Sequence, residues 1–263
     1  TALFGQAAMT DWAWRIPFLS SFVLVAIGLY VRLKLTEATI FIAALNKPKP
    51  KALPMMEVIV THFKPFFLGM LICIAGYVLF YIMIAFSQIY AKSAPTVSEA
   101  GYAMGLGFSP QIFTALLMCS AISLAITIAI SGKYIDIIGR RIWLIWTTFG
   151  VAIFGLALPY FLDNGTTTSL FWFLMIGMGL IGMGYGPLAS LLSELFPTHA
   201  RYSGASLTYN ISGLFGASVA AIIALPLNAN YGLKGVGIYL TLNAVLSLIG
   251  LWFITETKDK HLA

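Results

Sequence analysis

Charged residues are scarce in this chain of 263 residues. Asp, Glu, Lys and Arg together make up 9% of it, whereas 60% of the residues are hydrophobic. Soluble domains carry about 25% charged residues, so this composition excludes a soluble domain and predicts a protein of the lipid bilayer. The net charge of +6 is then typical of loops beside a membrane, and we expect no nucleic-acid partner.

Ionisable side chains are missing from the interior of the apolar runs, and all three histidines, His62, His199 and His261, fall in polar segments. A retinal protein needs a Lys inside its last span, and a membrane metalloenzyme needs His, Asp or Glu at ligand spacing. We therefore expect no enzyme activity, no catalytic residue, no metal site and no cofactor. Intramembrane ionisable residues commonly relay protons, so we expect any proton carrier to lie outside this sequence.

Seven apolar runs are each long enough to cross a bilayer core of about 30 Å as helices. They cover residues 14–31, 65–91, 108–131, 142–162, 170–192, 205–227 and 236–255. The predicted fold class is all-α, a polytopic membrane helix bundle. Twelve Lys and Arg residues fall on one side of these spans and only Arg15, Lys92 and Lys234 on the other. The positive-inside rule therefore predicts an outside N-terminus and a cytoplasmic C-terminus.

The longest polar segment, residues 34–64, contains Pro48, Pro50 and Pro54. The pattern predicts a short amphipathic helix near residues 36–45, a break at the prolines and a second short helix near residues 55–62. We interpret the segment as a cytoplasmic hinge between two bundles; the alternative is a plain solvated loop.

Two groups of neutral polar residues enter the spans. Tyr77, Tyr81 and Gln88 lie within about 40° of one another at 100° per helical residue, and Ser206, Tyr209 and Asn210 follow an i, i+3, i+4 spacing. Such faces can line an aqueous cavity and hydrogen-bond a small organic solute. The alternative for both faces is a set of hydrogen bonds that hold helices together.

A glycine-rich stretch lies in the fifth span: Gly177, Gly179, Gly182, Gly184 and Gly186, followed by Pro187. Small residues let helices approach closely, and Pro187 leaves the carbonyl of Met183 without its helical N–H donor. Two interpretations remain open here, a helix that bends as part of a gate and tight static packing.

Charged residues cluster where three predicted spans end. Asp136 and Arg140 are spaced i, i+4, while Glu194 ends the fifth span and Arg201 precedes the sixth, on the same side as Arg141. An acid from one hairpin and a base from the other could form a weak latch. The alternative is that these charges serve as topology signals alone.

The turn GKYIDIIGRR carries a family resemblance. Gly132, Asp136, Gly139, Arg140 and Arg141 match the Gly-x-x-x-Asp-Arg-x-Gly-Arg-Arg motif, with Ile137 at the first Arg. The turn resembles a loop of the major facilitator superfamily. Glu194 to Pro197, with Arg201 four residues later, is similar to the loop between the tenth and eleventh spans of that family.

A narrower resemblance is to the metabolite:proton symporters, the branch with shikimate, citrate, 2-oxoglutarate and proline/betaine carriers. It rests on Trp14 to Phe18, on Glu37 and Phe41, and on Ser193 to Asn210. It implies that residues 1–33 end the N-terminal bundle with its last span and that residues 34–64 form the cytoplasmic loop between bundles. Residues 65–263 are then the C-terminal six-span bundle, and the first five spans are absent.

The resemblance implies a secondary transporter of the inner or plasma membrane, a proton symporter for a small organic metabolite that works by alternating access. Its implied partners are that solute, protons, the lipid bilayer and the N-terminal bundle of the same protein. Tyr77, Tyr81, Gln88, Ser206, Tyr209 and Asn210 are the candidate cavity residues, and the charged residues around the turn are the candidate gate. A non-transporting receptor or scaffold and a passive facilitator are the alternatives.

Overall fold

A computed structural model describes residues 8–34 and 54–256. Apart from one isolated bridge between Val97 and Ala103, its regular structure within these ranges is helical. The predicted fold class, an all-α membrane bundle, is confirmed. The chain divides into two compact units, Thr1–Lys49 and Pro50–Ala263.

The first unit contains a π-helical turn, Met9–Ala13, and helix α1, Arg15–Lys34. At a rise of 1.5 Å per residue, the 20 residues of α1 extend about 30 Å, enough for one bilayer crossing. The short helix predicted near residues 36–45 falls outside the described residues.

The second unit is a bundle of helices. Its elements are α2 (Pro54–Thr61), α3 (Phe63–Tyr81), a π-helical turn (Ile82–Phe86), α4 (Ser87–Lys92), α5 (Pro110–Ile138), α6 (Arg140–Leu162), α7 (Thr167–Glu194), α8 (Arg201–Gly213), a second π-helical turn (Leu214–Ser218) and α9 (Val219–Phe253). The second short helix predicted near residues 55–62 is α2. Helices α7, α6, α9, α3 and α8 pack against one another in that order, and α5 packs on α7.

The described residues contain six helical stretches of sufficient length and hydropathy to cross a membrane, whereas the sequence predicts seven spans. The difference arises at Arg201–Phe253, which runs for 53 residues and would extend about 80 Å as one straight helix. Gly232 interrupts it with φ 66° and ψ −169°, a conformation that is essentially restricted to glycine. Residues 201–231 and 233–253 therefore correspond to the sixth and seventh predicted spans.

The stretch between α4 and α5 packs against this interruption. Ser98 Oγ donates to the carbonyl of Ala229 at 2.7 Å, and Asn228 Nδ2 donates to the carbonyl of Ala103 at 2.9 Å. A Cβ at Gly232 would lie 2.6 Å from the Tyr102 ring. Glycine is required at position 232 for its backbone conformation and for this close contact.

Three glycines of α7 fit against hydroxyl side chains of α5. A Cβ at Gly179 would lie 3.0 Å from Ser123 Oγ, and a Cβ at Gly182 or Gly186 would overlap the hydroxyl of Thr127 or Ser131. Ser123 Oγ also donates to the carbonyl of Met175 at 2.9 Å. Of the two interpretations of the glycine-rich stretch, this geometry supports tight static packing.

Helix α7 continues through Pro187. The carbonyl of Met183, which lacks its helical donor because Pro187 has no N–H, accepts a hydrogen bond from Trp143 Nε1 at 2.9 Å. A side chain of α6 therefore satisfies the backbone group that the proline leaves free, and it ties α6 to α7 at that point.

We predict that Gly182→Ala lowers the thermal unfolding midpoint, because the added methyl overlaps Thr127 and lies 2.6 Å from the carbonyl oxygen of Leu124. Overpacking costs about 1–3 kcal/mol, more than the approximately 0.5–1 kcal/mol gained from Ala in a helix. Differential scanning fluorimetry of the full-length protein in detergent measures the midpoint. Gly184→Ala on the same helix is the control, because its Cβ meets Thr147 at an ordinary 3.9 Å. Equal midpoints for the two variants would contradict this account of the packing.

Candidate functional site

A cavity of about 140 Å³, open in part to its surroundings, lies between α3, α6, α7 and α8. Its lining is mostly apolar, with residues such as Ile72, Leu79 and Val151. The polar side chains that line it are Tyr77, Tyr81, Thr147, Thr148, Tyr185 and Tyr209, together with the thiol of Cys73. A concave, largely apolar cavity with a few polar groups is typical of a site for a small organic molecule.

Three of these tyrosines form a connected group. The hydroxyls of Tyr185 and Tyr209 lie 3.0 Å apart, and Tyr77 Oη donates to the backbone carbonyl of Tyr209 at 3.1 Å. The rings of Tyr77 and Tyr209 pack with centroids 5.0 Å apart. A Cβ at Gly213 would lie 3.2 Å from the Tyr77 ring, so glycine there permits the close approach of α8 to α3.

Three of the six predicted cavity residues line this cavity, namely Tyr77, Tyr81 and Tyr209. The other three, Gln88, Ser206 and Asn210, are exposed and not among its lining residues. Asn210 Nδ2 donates to the carbonyl of Ser206 at 2.8 Å, a bond within its own helix. Gln88 follows the π-helical turn Ile82–Phe86, whose wider turn changes the angular register on which its predicted alignment with Tyr77 depends.

Sequence reasoning missed Tyr185, Thr147 and Thr148. Tyr185 is the one polar side chain in the glycine-rich stretch. A hydroxyl inside an apolar span is a signal for a polar contact, but the glycine pattern of this stretch indicates only close packing or a bend. Thr147 Oγ1 donates to the carbonyl of Trp143 at 3.0 Å. A threonine in a helix commonly makes that local bond, so the two threonines gave no usable signal.

The predicted charge cluster is centred on Arg140. Its guanidinium lies 3.0 Å from an Asp136 carboxylate oxygen and 3.3 Å from a Glu194 carboxylate oxygen. The side chains of Arg140 and Glu194 are 15% and 13% exposed, whereas Asp136 is 68% exposed. A base from the α5–α6 turn therefore pairs with an acid at the end of α7, as the latch hypothesis requires.

Arg141 has a different set of contacts. Its guanidinium donates to the carbonyls of Leu251 at 2.8 Å and Trp252 at 3.2 Å, so it binds the last turn of α9, where a positive charge is favourable. Arg201 Nη2 lies 3.4 Å from Thr198 Oγ1, and its buried Nε has no hydrogen-bond partner within the described ranges. Neither Arg141 nor Arg201 forms an ion pair with Glu194 among the described residues.

Glu256, which sequence reasoning also missed, caps the start of α6. Its carboxylate accepts the backbone N–H groups of Arg140 at 3.0 Å and Arg141 at 3.1 Å, where the helix dipole favours an anion. Gly139 has φ 102°, and a Cβ there would lie 2.6 Å from Glu256 Oε2. A Cβ at Gly132 would meet no atom within 4 Å. In the sequence, Glu256 directly follows the last predicted span, on the same side of the spans as the turn at residues 132–141. That position was the available signal for a contact with the turn.

Comparison with known proteins places this bundle in a family. The family model of sugar (and other) transporters matches residues 103–263. The chain belongs to this family. Membership of the major facilitator superfamily, predicted from the turn at residues 132–141, is thereby confirmed.

The relatives of this chain are named as transport proteins. A metabolite transport protein of Haemophilus influenzae is 89% identical over all 263 residues, which cover 59% of that protein. The inner membrane metabolite transport protein YhjE of Escherichia coli is 38% identical over 96% of this chain and 56% of its own length. The proline/betaine transporter of Escherichia coli is 26% identical over the whole chain and 52% of its own length.

The chain thus spans less than two thirds of the length of these relatives. The described residues include six helices that are long and apolar enough to cross a membrane, and one relative, YhjE, is named as an inner membrane protein.

Proposed function

We propose that the full-length protein carrying this chain is a secondary transporter that moves a small organic metabolite together with protons by alternating access. The cavity between α3, α6, α7 and α8, lined by hydroxyl groups and aromatic rings, carries the proposal. In this proposal, residues 1–33 end the first bundle, residues 34–64 connect the bundles and residues 65–263 form the second bundle. The division of the chain between Lys49 and Pro50 supports this arrangement.

The lining of the cavity favours a solute with an apolar or cationic group. The rings of Tyr77, Tyr81, Tyr185 and Tyr209 face a common space with Phe80, and aromatic faces attract quaternary and protonated amines. Relatives named for proline, betaine and ectoine handle solutes that combine a cationic nitrogen with a carboxylate. In our proposal this half of the protein holds the nitrogen-bearing end, and the connected hydroxyls of Tyr185 and Tyr209 orient it.

We expect proteoliposomes containing the full-length protein to exchange a labelled external solute for the same unlabelled solute inside. Proline and glycine betaine are the first solutes to test, and 2-oxoglutarate tests the carboxylate branch. Net uptake in intact cells should collapse with a protonophore, whereas exchange should persist because it needs no gradient. Binding without exchange would instead identify a receptor, and uptake insensitive to the protonophore a passive facilitator.

We predict that Tyr81→Ala raises the KM for uptake by about three- to tenfold, because loss of an aromatic contact with a cationic group removes about 1 kcal/mol. Initial uptake rates across a range of solute concentrations, normalised to the amount of protein in the membrane, measure KM. Tyr160→Ala is the matched control, since Tyr160 is 75% exposed and is not among the cavity-lining residues. An unchanged KM in Tyr81→Ala would remove Tyr81 from the site.

The exposed residues Gln88, Ser206 and Asn210 stay candidates for the part of the site that faces the other bundle. Asn210→Ala in the same uptake assay decides whether that face contacts the solute. A KM equal to that of the unaltered protein would exclude Asn210.

The gate in our proposal is the pair formed by Arg140 and Glu194, which holds the ends of α6 and α7 together in the closed state. Glu194→Gln is expected to slow uptake by about tenfold, because it leaves a largely buried Arg140 beside a neutral amide. Asp136→Asn is expected to slow uptake by at most about fivefold, because an exposed pair contributes about 0–1 kcal/mol. Both variants should reach the membrane in normal amounts. Equal uptake rates for the two would contradict the expectation that Glu194 contributes more to the gate than Asp136 does.

The orientation of the gate is tested in the same cells. In our proposal the turn at residues 132–141 faces the cytoplasm, with the N-terminus of the chain outside and the C-terminus inside. Lys133→Cys should then react with a membrane-impermeant maleimide in inside-out vesicles and not in intact cells. Labelling of intact cells alone would reverse the proposed orientation.

A further inference from the structure

Three potential metal ligands converge near the end of α7, outside the cavity and the charge cluster. Glu57 lies on α2, His62 follows α2 directly, and His199 lies in the turn between α7 and α8. One ligand atom from each of the three side chains lies within 4.8 Å of the others. The sequence separation of 142 residues between Glu57 and His199 explains why no local spacing revealed the group.

The three side chains of the group lie close together and differ in their exposure to solvent. His199 Nε2 lies 2.8 Å from Glu57 Oε1, and the rings of His62 and His199 have centroids 6.4 Å apart. The side chain of Glu57 is 19% exposed, whereas that of His199 is 49% exposed. The group is therefore partly accessible to water, chiefly at His199.

The backbone that carries these side chains is held by a small hydrophobic core. Val58, Phe196 and Ala200 are almost fully buried against one another, and each neighbours one of the three ligands or their turn. The N–H of His62 donates to the carbonyl of Val58 at 3.1 Å, and the N–H of Ala200 donates to the carbonyl of Pro197 at 3.0 Å. Ligands on fixed backbone lose little freedom when they bind an ion.

We propose that Glu57, His62 and His199 form a binding site for a divalent transition-metal ion of the zinc type. Two imidazoles and one carboxylate are a ligand set that such ions prefer to Mg²⁺ or Ca²⁺, which take oxygen ligands. Tetrahedral zinc with bonds of about 2.0–2.1 Å places its ligand atoms about 3.4 Å apart. Side-chain rotations that move the ligand atoms by on the order of 1 Å bring their mutual distances to that value. A water molecule then takes the fourth coordination position of the ion.

The consequence of binding is a link between two parts of the bundle. Glu57 lies in the first turn of α2 and His62 directly follows its last residue, whereas His199 belongs to the turn before α8, and α2 packs on α8. A bound ion replaces the single contact between Glu57 and His199 with three coordinate bonds. It therefore fixes α2 to the α7–α8 turn. This inference concerns binding and does not depend on the proposed transport activity.

The test is a Zn²⁺ titration of the purified full-length protein, stripped with a chelator and carrying an affinity tag without histidine. Isothermal titration calorimetry should detect one ion per chain that is lost, or bound at least about tenfold more weakly, in Glu57→Ala, His62→Ala and His199→Ala. Glu99→Gln, in the stretch between α4 and α5, is the matched carboxylate control and should bind as the unaltered protein does.

A second pair of variants separates coordination from a structural role. His199→Cys should retain Zn²⁺ binding, because a thiolate is also a zinc ligand, whereas His199→Asn, which keeps only hydrogen bonding, should lose it. Thermal midpoints measured without Zn²⁺ identify any variant that fails to fold. Among folded variants, the comparison of His199→Cys with His199→Asn decides whether His199 coordinates the ion. An unaltered protein without saturable binding, or affinity unchanged in His62→Ala and His199→Ala, would overturn the proposal.

Discussion

Hydrocarbon offers no hydrogen-bond partners, so every polar group inside the bundle must find one within the protein. Several polar side chains of the described helices find a partner by donating to carbonyls of neighbouring helices. Ser247 Oγ donates to the carbonyl of Leu71 at 2.6 Å, and Thr241 Oγ1 donates to that of Ala152 at 3.0 Å. Trp143 does the same for the carbonyl that Pro187 leaves free. These bonds tie α9 to α3 and to α6, and α6 to α7.

A side chain as short as serine or threonine reaches a carbonyl of another helix only if the two backbones approach closely. Glycine supplies that approach. A Cβ at Gly155 would lie 2.6 Å from Thr241 Oγ1 and 2.8 Å from the carbonyl oxygen of Gly237. The hydrogen bond of Thr241 therefore depends on the close approach that Gly155 and Gly237 permit. Among the described residues, other glycines such as Gly182 and Gly186 contribute to packing in this way at the crossing of α5 and α7.

The fold could be predicted from the sequence because the length and hydropathy of a span are local properties. Most helix ends agree with the predicted spans to within about four residues, but α5 runs to Ile138, past the predicted end at residue 131, so most of the predicted turn at residues 132–141 is helical. The interruption at Gly232 could not be predicted, since a single glycine in an apolar run is common and only the contact with Tyr102 distinguishes this one. The π-helical turn before Gln88 was equally invisible, because periodicity arguments assume 3.6 residues per turn.

The candidate site was predicted only in part because its residues come from four helices. Tyr77 and Tyr81 share a face of one helix, which a helical projection captures. The contact of Tyr185 with Tyr209 spans 24 residues, and the cap that Glu256 places on Arg140 spans 116. Such pairs depend on which helices become neighbours, and no pattern within one helix contains that information.

The charges around the α5–α6 turn divide into a fixed part and a part that can separate. Glu256 and Arg141 bind backbone groups at helix ends, and these contacts join the start of α6 to the end of α9. The contact of Arg140 with Glu194 joins two side chains on different helix ends. If α7 moves away, Arg140 keeps Asp136 as a partner on its own turn. Separation would then remove one of the two ion pairs of Arg140 and leave the other in place, so Arg140 would not be left unpaired, which lowers the cost of separation. The gate that we propose depends on such a contact, because a charge left alone in the interior would hold the closed state too strongly.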